Sequence, residues 1–270
     1  MRRAYNVQSV GSTDPRVSSV FRDLRSRMPF VPALFRALAD DPPTLEAAWL
    51  QARALYDDPL AAQAVRPLAA EAAPGLDYAP SPAVRAVVMP FREELPLLLL
   101  IVASLGLALD GVIPLRHPPS ADLPEPGAVP ETAVRELPGE HPLYPAIRAV
   151  YGTQHVPVLF RALAARGLLE EAWDGVGPYL ASPAGRLHAA RLAAAAEDEA
   201  RRFPDVACFS AQTARPVIDE LRRALPRNLI FATACKLDTP RTREERHGDG
   251  RDPPAEGDGH LPNTECPRAI

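Results

Sequence analysis

Lysine is nearly absent from this 270-residue chain, and neither sign of charge dominates it. Lys236 is the single lysine, so arginine supplies 29 of the 30 basic residues, against 34 acidic ones. Proteins that bind nucleic acids usually carry a basic excess on one face. A formal net charge of −4 therefore argues against a nucleic-acid partner.

Cysteine is also scarce, with three residues, Cys208, Cys235 and Cys266. Their number is odd and no two of them form a C-x-x-C pair, which excludes a disulfide framework and a structural zinc site. Reduced thiols are typical of the cytoplasm. No apolar segment follows the N-terminal residues, so no signal peptide is predicted and the expected location is cytoplasmic.

The main uncharged apolar run is too short to cross a membrane. It covers residues 95–109 (LPLLLLIVASLGLAL). As a helix it reaches about 22 Å, whereas the hydrocarbon core of a bilayer is about 30 Å thick. Glu93 and Glu94 stand at its start. The run therefore favours a helix that is buried on all sides in a bundle, and no membrane partner is predicted.

Strand patterns are missing as well, because no run of alternating β-branched residues occurs. Apolar residues recur at helical spacing instead, as at Leu45 and Trp49. Val217 and Leu221 mark another helix, with Glu220 among the residues expected to face solvent. Hydrophobic residues make up 47% of the chain, which excludes wholesale disorder. The predicted fold class is all-α.

An internal repeat is the most informative feature of the sequence. Residues 31–39 (VPALFRALA) and 156–164 (VPVLFRALA) agree at eight of nine positions, at an offset of 125. The only two tryptophans, Trp49 and Trp173, follow at an offset of 124. The sequence therefore predicts two homologous helical halves.

Proline and polar residues divide the chain. Pro59 and Pro183 fall between helical runs, which predicts helix starts or turns at both. Nine of the 32 prolines lie in residues 114–145, which predicts a semi-extended linker. After Thr239 the chain is dominated by Pro, Gly and charged residues, which predicts disorder. The predicted organisation is an N-terminal extension (1–15), helical repeat 1 (16–113), a Pro-rich linker (114–142), helical repeat 2 (143–238) and a disordered tail (239–270).

Three segments resemble the group I (D,L-)2-haloacid dehalogenases. They are residues 16–49 (RVSSVFRDLRSRMPFVPALFRALADDPPTLEAAW), residues 144–173 (YPAIRAVYGTQHVPVLFRALAARGLLEEAW) and residues 91–105 (FREELPLLLLIVASL). The resemblance implies two pseudo-symmetric helical repeats packed as an intramolecular pseudo-dimer around a buried pocket. It implies hydrolytic removal of halide from short 2-haloalkanoic acids, by water that an aspartate activates, with no metal and no organic cofactor.

The chain departs from that family at two positions. The family's catalytic aspartate, directly before the aromatic residue of the second-half motif, is replaced by Leu159 before Phe160. Leucine cannot accept a proton, and no Asp or Glu lies between His141 and Gly167. The family's asparagine, just before the proline that opens the central helix, is replaced by Leu95 before Pro96. The resemblance therefore implies a divergent member that lacks the family's base.

Glu94 and His155 are the candidate catalytic bases. Glu94 is an acid on the pocket side of the central helix, although acids at a helix start also simply complement the helix dipole. His155 directly precedes the second-half motif, and histidine is a common general base near neutral pH, although the residue also fits a half-exposed loop. The predicted substrate-binding residues are Phe30, Pro32, Leu95, Leu98, Pro157, Val158, Leu159 and Asn228.

Arg36 and Arg161 are equivalent in the repeat. A surface ion pair, or one between the halves, is expected of them rather than substrate binding.

Two functions from different classes stay open. The first is a cofactor-independent hydrolase of carbon–halide bonds with a relocated base. The second is a non-catalytic or differently catalytic protein that binds a small apolar carboxylic acid between its halves. An alkylhydroperoxidase-type repeat protein would need a C-x-x-C pair followed by histidine, which the chain does not have. The expected partner is a small-molecule carboxylic acid, and a homodimer is compatible with it.

Overall fold

A computed structural model describes residues 14–116, 122–129, 136, 139–203, 206–207 and 210–235. All of them belong to one compact unit, Met1–Leu237. The disordered tail that we predict for residues 239–270 lies outside the described residues, as do residues 1–13 and most of the predicted linker.

The first half of the described chain consists of five helices. In chain order they are α1 (Pro15–Arg25), α2 (Ala33–Leu38), α3 (Pro42–Asp57), α4 (Pro59–Glu71) and α5 (Pro82–Leu109). The second half also consists of five helices. They are α6 (Tyr144–Tyr151), α7 (Val158–Ala164), α8 (Leu169–Ala181), α9 (Pro183–Ala200) and α10 (Ala211–Ala234).

The all-α prediction is confirmed. The described strands are two residues each, β1 (Leu115–Arg116) and β2 (Val206–Ala207), and they pair in parallel. The contacts between helices recur in the two halves, since α5 packs on α7 of the second half and α10 packs on α2 of the first. This recurrence supports the predicted pseudo-symmetry, which stays a prediction.

Prolines and short polar side chains set the helix starts. Pro59 and Pro183, predicted at helix boundaries, are the first residues of α4 and α9. A proline at this position loses no helical hydrogen bond, because the first N–H groups of a helix have no carbonyl partner within it. Asp58 and Ser182 precede them, and their side chains accept hydrogen bonds from the backbone N–H groups of Leu60 and Gly185.

The two longest helices contain prolines in their interiors, which corrects the predicted helix starts. α5 begins at Pro82, so Glu94 and Pro96 lie in its middle and not at its N-terminus. Asn228 lies inside α10 in the same way, beyond the interior Pro226. The dipole interpretation of Glu94 is therefore wrong, because a mid-helix side chain is far from the helix terminus.

α5 and α10 lie side by side at the centre of the fold. Leu100, Ile101 and Leu105 of α5 are completely buried, as are Ile230 and Phe231 of α10. The apolar run at 95–109 is therefore a core helix, as predicted. No helix among the described residues has the length and hydropathy that crossing a membrane would require.

Candidate functional site

A cavity of about 350 Å³ lies between the two halves. Its walls come from α2, α5, α6, α7 and α10 and from the loop before α7. His155 and all eight predicted substrate-binding residues line it. The sequence therefore located one continuous site, although the binding role of these residues stays a prediction.

One part of the cavity wall is apolar. The rings of Phe30 and Phe91 lie 4.7 Å apart, and Leu95 is buried beside them. Leu159, at the position where the resemblance places an aspartate, also lines the cavity and is 2% exposed. This wall suits the carbon skeleton of a small ligand and supplies no base.

His155 meets a buried acid, Glu220, at the cavity. Its Nδ1 lies 3.2 Å from Glu220 Oε1, and the backbone N–H groups of Gln154 and His155 donate to the same oxygen at 3.1 and 3.0 Å. Burial alone would raise the pKa of Glu220, but these hydrogen bonds hold it below its ordinary value. Glu220 therefore stays ionised and fixes the orientation of the imidazole ring.

Glu220 was predicted to face solvent, and this prediction is wrong, because the residue is 7% exposed and lines the cavity. The signal that could have found it is its spacing. It follows the buried Val217 by three residues and precedes the buried Ala224 by four, so it shares their helix face.

Glu94, the other candidate base, directly precedes the lining residue Leu95 but is not itself a cavity-lining residue. Its carboxylate oxygens are 3.2 and 3.1 Å from the Tyr56 hydroxyl, which also contacts the carbonyl oxygen of Arg27 at 3.0 Å. Burial raises the pKa of Glu94 to about 7, with the Tyr56 hydrogen bond opposing and the charge of Glu93 adding to the rise. Its place in the fold does not support a role in the cavity.

Arg36 and Arg161, the repeat-equivalent arginines, meet at one carboxylate from the linker. Arg36 donates to both oxygens of Glu136, at 2.9 and 3.3 Å, and Arg161 Nη2 lies 2.5 Å from Glu136 Oε2. This is an ion pair that joins the halves through the linker, one of the two arrangements expected of them. Arg161 also lines the cavity.

Three polar atoms of the cavity-lining residues are buried and lack a hydrogen-bond partner within the described part of the chain. They are Asn228 Oδ1, the Tyr144 hydroxyl oxygen and Arg161 Nε. Buried polar groups in folded proteins are normally satisfied, so such atoms indicate a site for a ligand or water. The described residues contain no group of three or more His, Cys, Asp or Glu side chains that could hold a metal ion.

No family model and no curated protein sequence matches the chain. Solved structures that match it are a D-2-haloacid dehalogenase mutant with D-2-CPA (TM-score 0.63, 16% identity), a D-2-halacid dehalogenase mutant (0.64, 16%) and a D-2-haloacid dehalogenase with L-LA (0.63, 17%). Each alignment covers 86% of this chain and 92% of the other. The chain therefore has a 2-haloacid dehalogenase-like fold.

Proposed function

We propose that the protein binds a short 2-haloalkanoic acid in the inter-half cavity and hydrolyses its carbon–halogen bond, with the His155–Glu220 pair as the base. The observation that carries this proposal is a carboxylate-oriented histidine at an apolar cavity. A fold shared with D-2-haloacid dehalogenases supports the reaction type. The missing aspartate makes a relocated base necessary.

The proposed reaction is a direct displacement. The oxygen of a water molecule attacks C2, and the carbon–halogen bond breaks with its electron pair leaving on the halide. The water proton passes to His155, and from there to solvent. The products are a 2-hydroxy acid, a halide ion and a proton, and no metal or organic cofactor takes part.

Glu220 serves this step by selecting the imidazole tautomer. A hydrogen on Nδ1 directed at Glu220 leaves a lone pair on Nε2, which is the basic atom. The positive charge that forms on the ring is then stabilised by the neighbouring carboxylate. The apolar wall at Phe30 and Leu159 strengthens these electrostatic interactions by excluding water.

A specific observation favours a second candidate function, binding without turnover. Leu159 is buried at the position of the family's base, and its side chain cannot accept a proton. Under this proposal the cavity holds a small apolar carboxylic acid, and the His155–Glu220 pair orders the loop before α7.

Chloride release from L- and D-2-chloropropionate separates the two candidates. Hydrolysis predicts release by the wild type, a loss of at least about 100-fold in His155→Ala, and a smaller loss in Glu220→Gln. His141→Ala is the matched control, because His141 pairs with Glu170 at 3.3 Å and is not one of the cavity-lining residues. This control is expected to keep wild-type activity.

Each other outcome has a definite meaning. The absence of chloride release from both enantiomers contradicts the hydrolase proposal and leaves binding without turnover. Chloride release that persists in His155→Ala and is lost in Glu94→Gln would show that Glu94, and not His155, is the base.

A further inference from the structure

The charges around Arg161 do not balance within the described part of the chain. There Arg36 and Arg161 share a single carboxylate, that of Glu136, so the cluster carries one excess positive charge. The Arg36 side chain is 8% exposed, which makes the imbalance costly because a buried charge is stabilised chiefly by a partner. Arg148, the other arginine that lines the cavity, is already paired with Glu140 at 3.1 Å.

Unused hydrogen-bonding capacity lies at the same place. Arg161 Nε is a buried donor without a partner in the described part of the chain, and so is the hydroxyl of Tyr144, which is 1% exposed. Both residues line the cavity. Burial raises the pKa of Tyr144, so its hydroxyl keeps the hydrogen that it can donate.

We infer that Arg161 and Tyr144 form the subsite for the ligand's carboxylate. One negative charge there balances the arginine cluster, and its two oxygens accept from the two unused donors. The inference rests on the proposed function for the choice of a monocarboxylate ligand. Glu220, the ionised acid beside His155, repels a carboxylate, so the ligand's carbon chain is directed toward His155.

This assignment reverses the expectation that Arg161 takes part only in an ion pair. Glu136 contacts Arg161 through Nη2, and the Nε–H is left as a donor for a second carboxylate, as the five donors of arginine allow. Glu136 is therefore both a positioning residue and an electrostatic competitor of the ligand.

The test is calorimetric titration of the full chain with propionate and with propionamide, its uncharged analogue. The wild type is expected to bind propionate at least tenfold more tightly than propionamide. Tyr144→Phe is expected to weaken propionate binding about tenfold, since hydrogen bonds to charged groups are the strong ones. Arg161→Gln is expected to remove the preference for propionate.

The chain offers a matched control for the tyrosine. Tyr151 lies on the same helix and also has a buried hydroxyl without a partner among the described residues, yet it is not a cavity-lining residue. Tyr151→Phe is expected to leave the affinity for propionate unchanged. Glu136→Gln is expected to tighten it, which a purely structural role of the cluster would not do.

Equal affinity for propionate and propionamide, or an equal effect of the two tyrosine variants, overturns the subsite. A different result contradicts the proposed function. Propionate binding without chloride release from 2-chloropropionate leaves the subsite in place and removes the hydrolysis. Chloride release with a KM that is unchanged in Tyr144→Phe and Arg161→Gln keeps the hydrolysis and removes the subsite.

Discussion

The buried carboxylate of Asp23 contacts one tryptophan and two arginines. Its carboxylate accepts from Trp49 Nε1 at 2.8 Å and pairs with Arg27 at 2.6 Å and Arg53 at 3.4 Å, while its side chain is 9% exposed. These contacts join α1 to α3. The tryptophan was found in the sequence through the repeat, but its partner was not, because Asp23 has no counterpart in the second half.

Replacing Asp23 with alanine is expected to lower the unfolding free energy by about 3 kcal/mol, because a buried indole N–H loses its acceptor and two arginines lose a carboxylate partner. Urea unfolding measures this loss. Asp57→Ala is the control, since Asp57 contacts the same two arginines at 3.7 and 3.9 Å but is 58% exposed. Equal losses in the two variants would contradict the argument.

Glu94 predicts a pH effect on stability. Its pKa is about 7 in the folded chain against an ordinary 4.5, so the folded state binds this proton more tightly than the unfolded state. The carboxyl therefore destabilises the fold progressively as pH rises from 4.5 through 7. Glu94→Gln, which cannot ionise, is expected to be about 1 kcal/mol more stable than the wild type at pH 8, after allowing for partial exposure.

Thermal unfolding at pH 5 and pH 8 checks this expectation. The advantage of the glutamine variant should appear at pH 8 and be small at pH 5. An advantage of the same size at both values would mean that the ionisation of Glu94 is not its cause.

At the scale of elements, glycines set how closely helices join. A Cβ built on Gly185 would lie 2.1 Å from the carbonyl oxygen of Tyr179, across the junction of α8 and α9. One built on Gly175 would lie 2.2 Å from the ring of Tyr78. The Tyr179 carbonyl belongs to the backbone and cannot move aside without disturbing both helices. The Tyr78 ring is a side chain and can rotate away.

Gly185→Ala is therefore expected to lose about 2–3 kcal/mol of unfolding free energy, and Gly175→Ala about 1 kcal/mol or less. Chemical unfolding of both variants measures the order. A larger loss at Gly175 would show that the Tyr78 ring is the more rigid neighbour.

The helices were predictable where the sequence carries strong periodicity. Pro59 and Pro183 marked starts correctly because a proline in a first turn removes no hydrogen bond. Pro96 was mistaken for a start because local sequence does not distinguish it from an interior proline. Packing on every side of α5 offsets the lost hydrogen bond, and packing is a tertiary property.

The site was predictable to a similar extent. The repeat and the resemblance located the cavity through Pro32, Pro157 and their neighbours. Glu220 and Tyr144 were not predicted, because the roles that we propose for them depend on which residues of other elements they face. The Arg36–Arg161 pair was visible in the repeat, but the carboxylate between them comes from the linker and has no periodic signal.

At the scale of the whole molecule, Glu136 connects the linker to both halves. Glu136→Ala would remove the carboxylate that the buried Arg36 and the half-buried Arg161 share, and we expect a loss of about 2 kcal/mol of unfolding free energy. Sodium acetate should raise the melting temperature of this variant more than that of the wild type, because in the variant it also supplies the missing anion. Equal effects of acetate on both proteins would contradict a specific site.

The burial of α5 against the second half has a consequence for biosynthesis. α5 ends at Leu109 and its main partner α10 begins at Ala211, about 100 residues later, which takes a ribosome about 5–20 s to translate. During that interval the flank of α5 that packs on α10 lacks its partner helix. We therefore expect the nascent chain to bind chaperones, and slower translation of the linker to lengthen the period in which two nascent chains can aggregate.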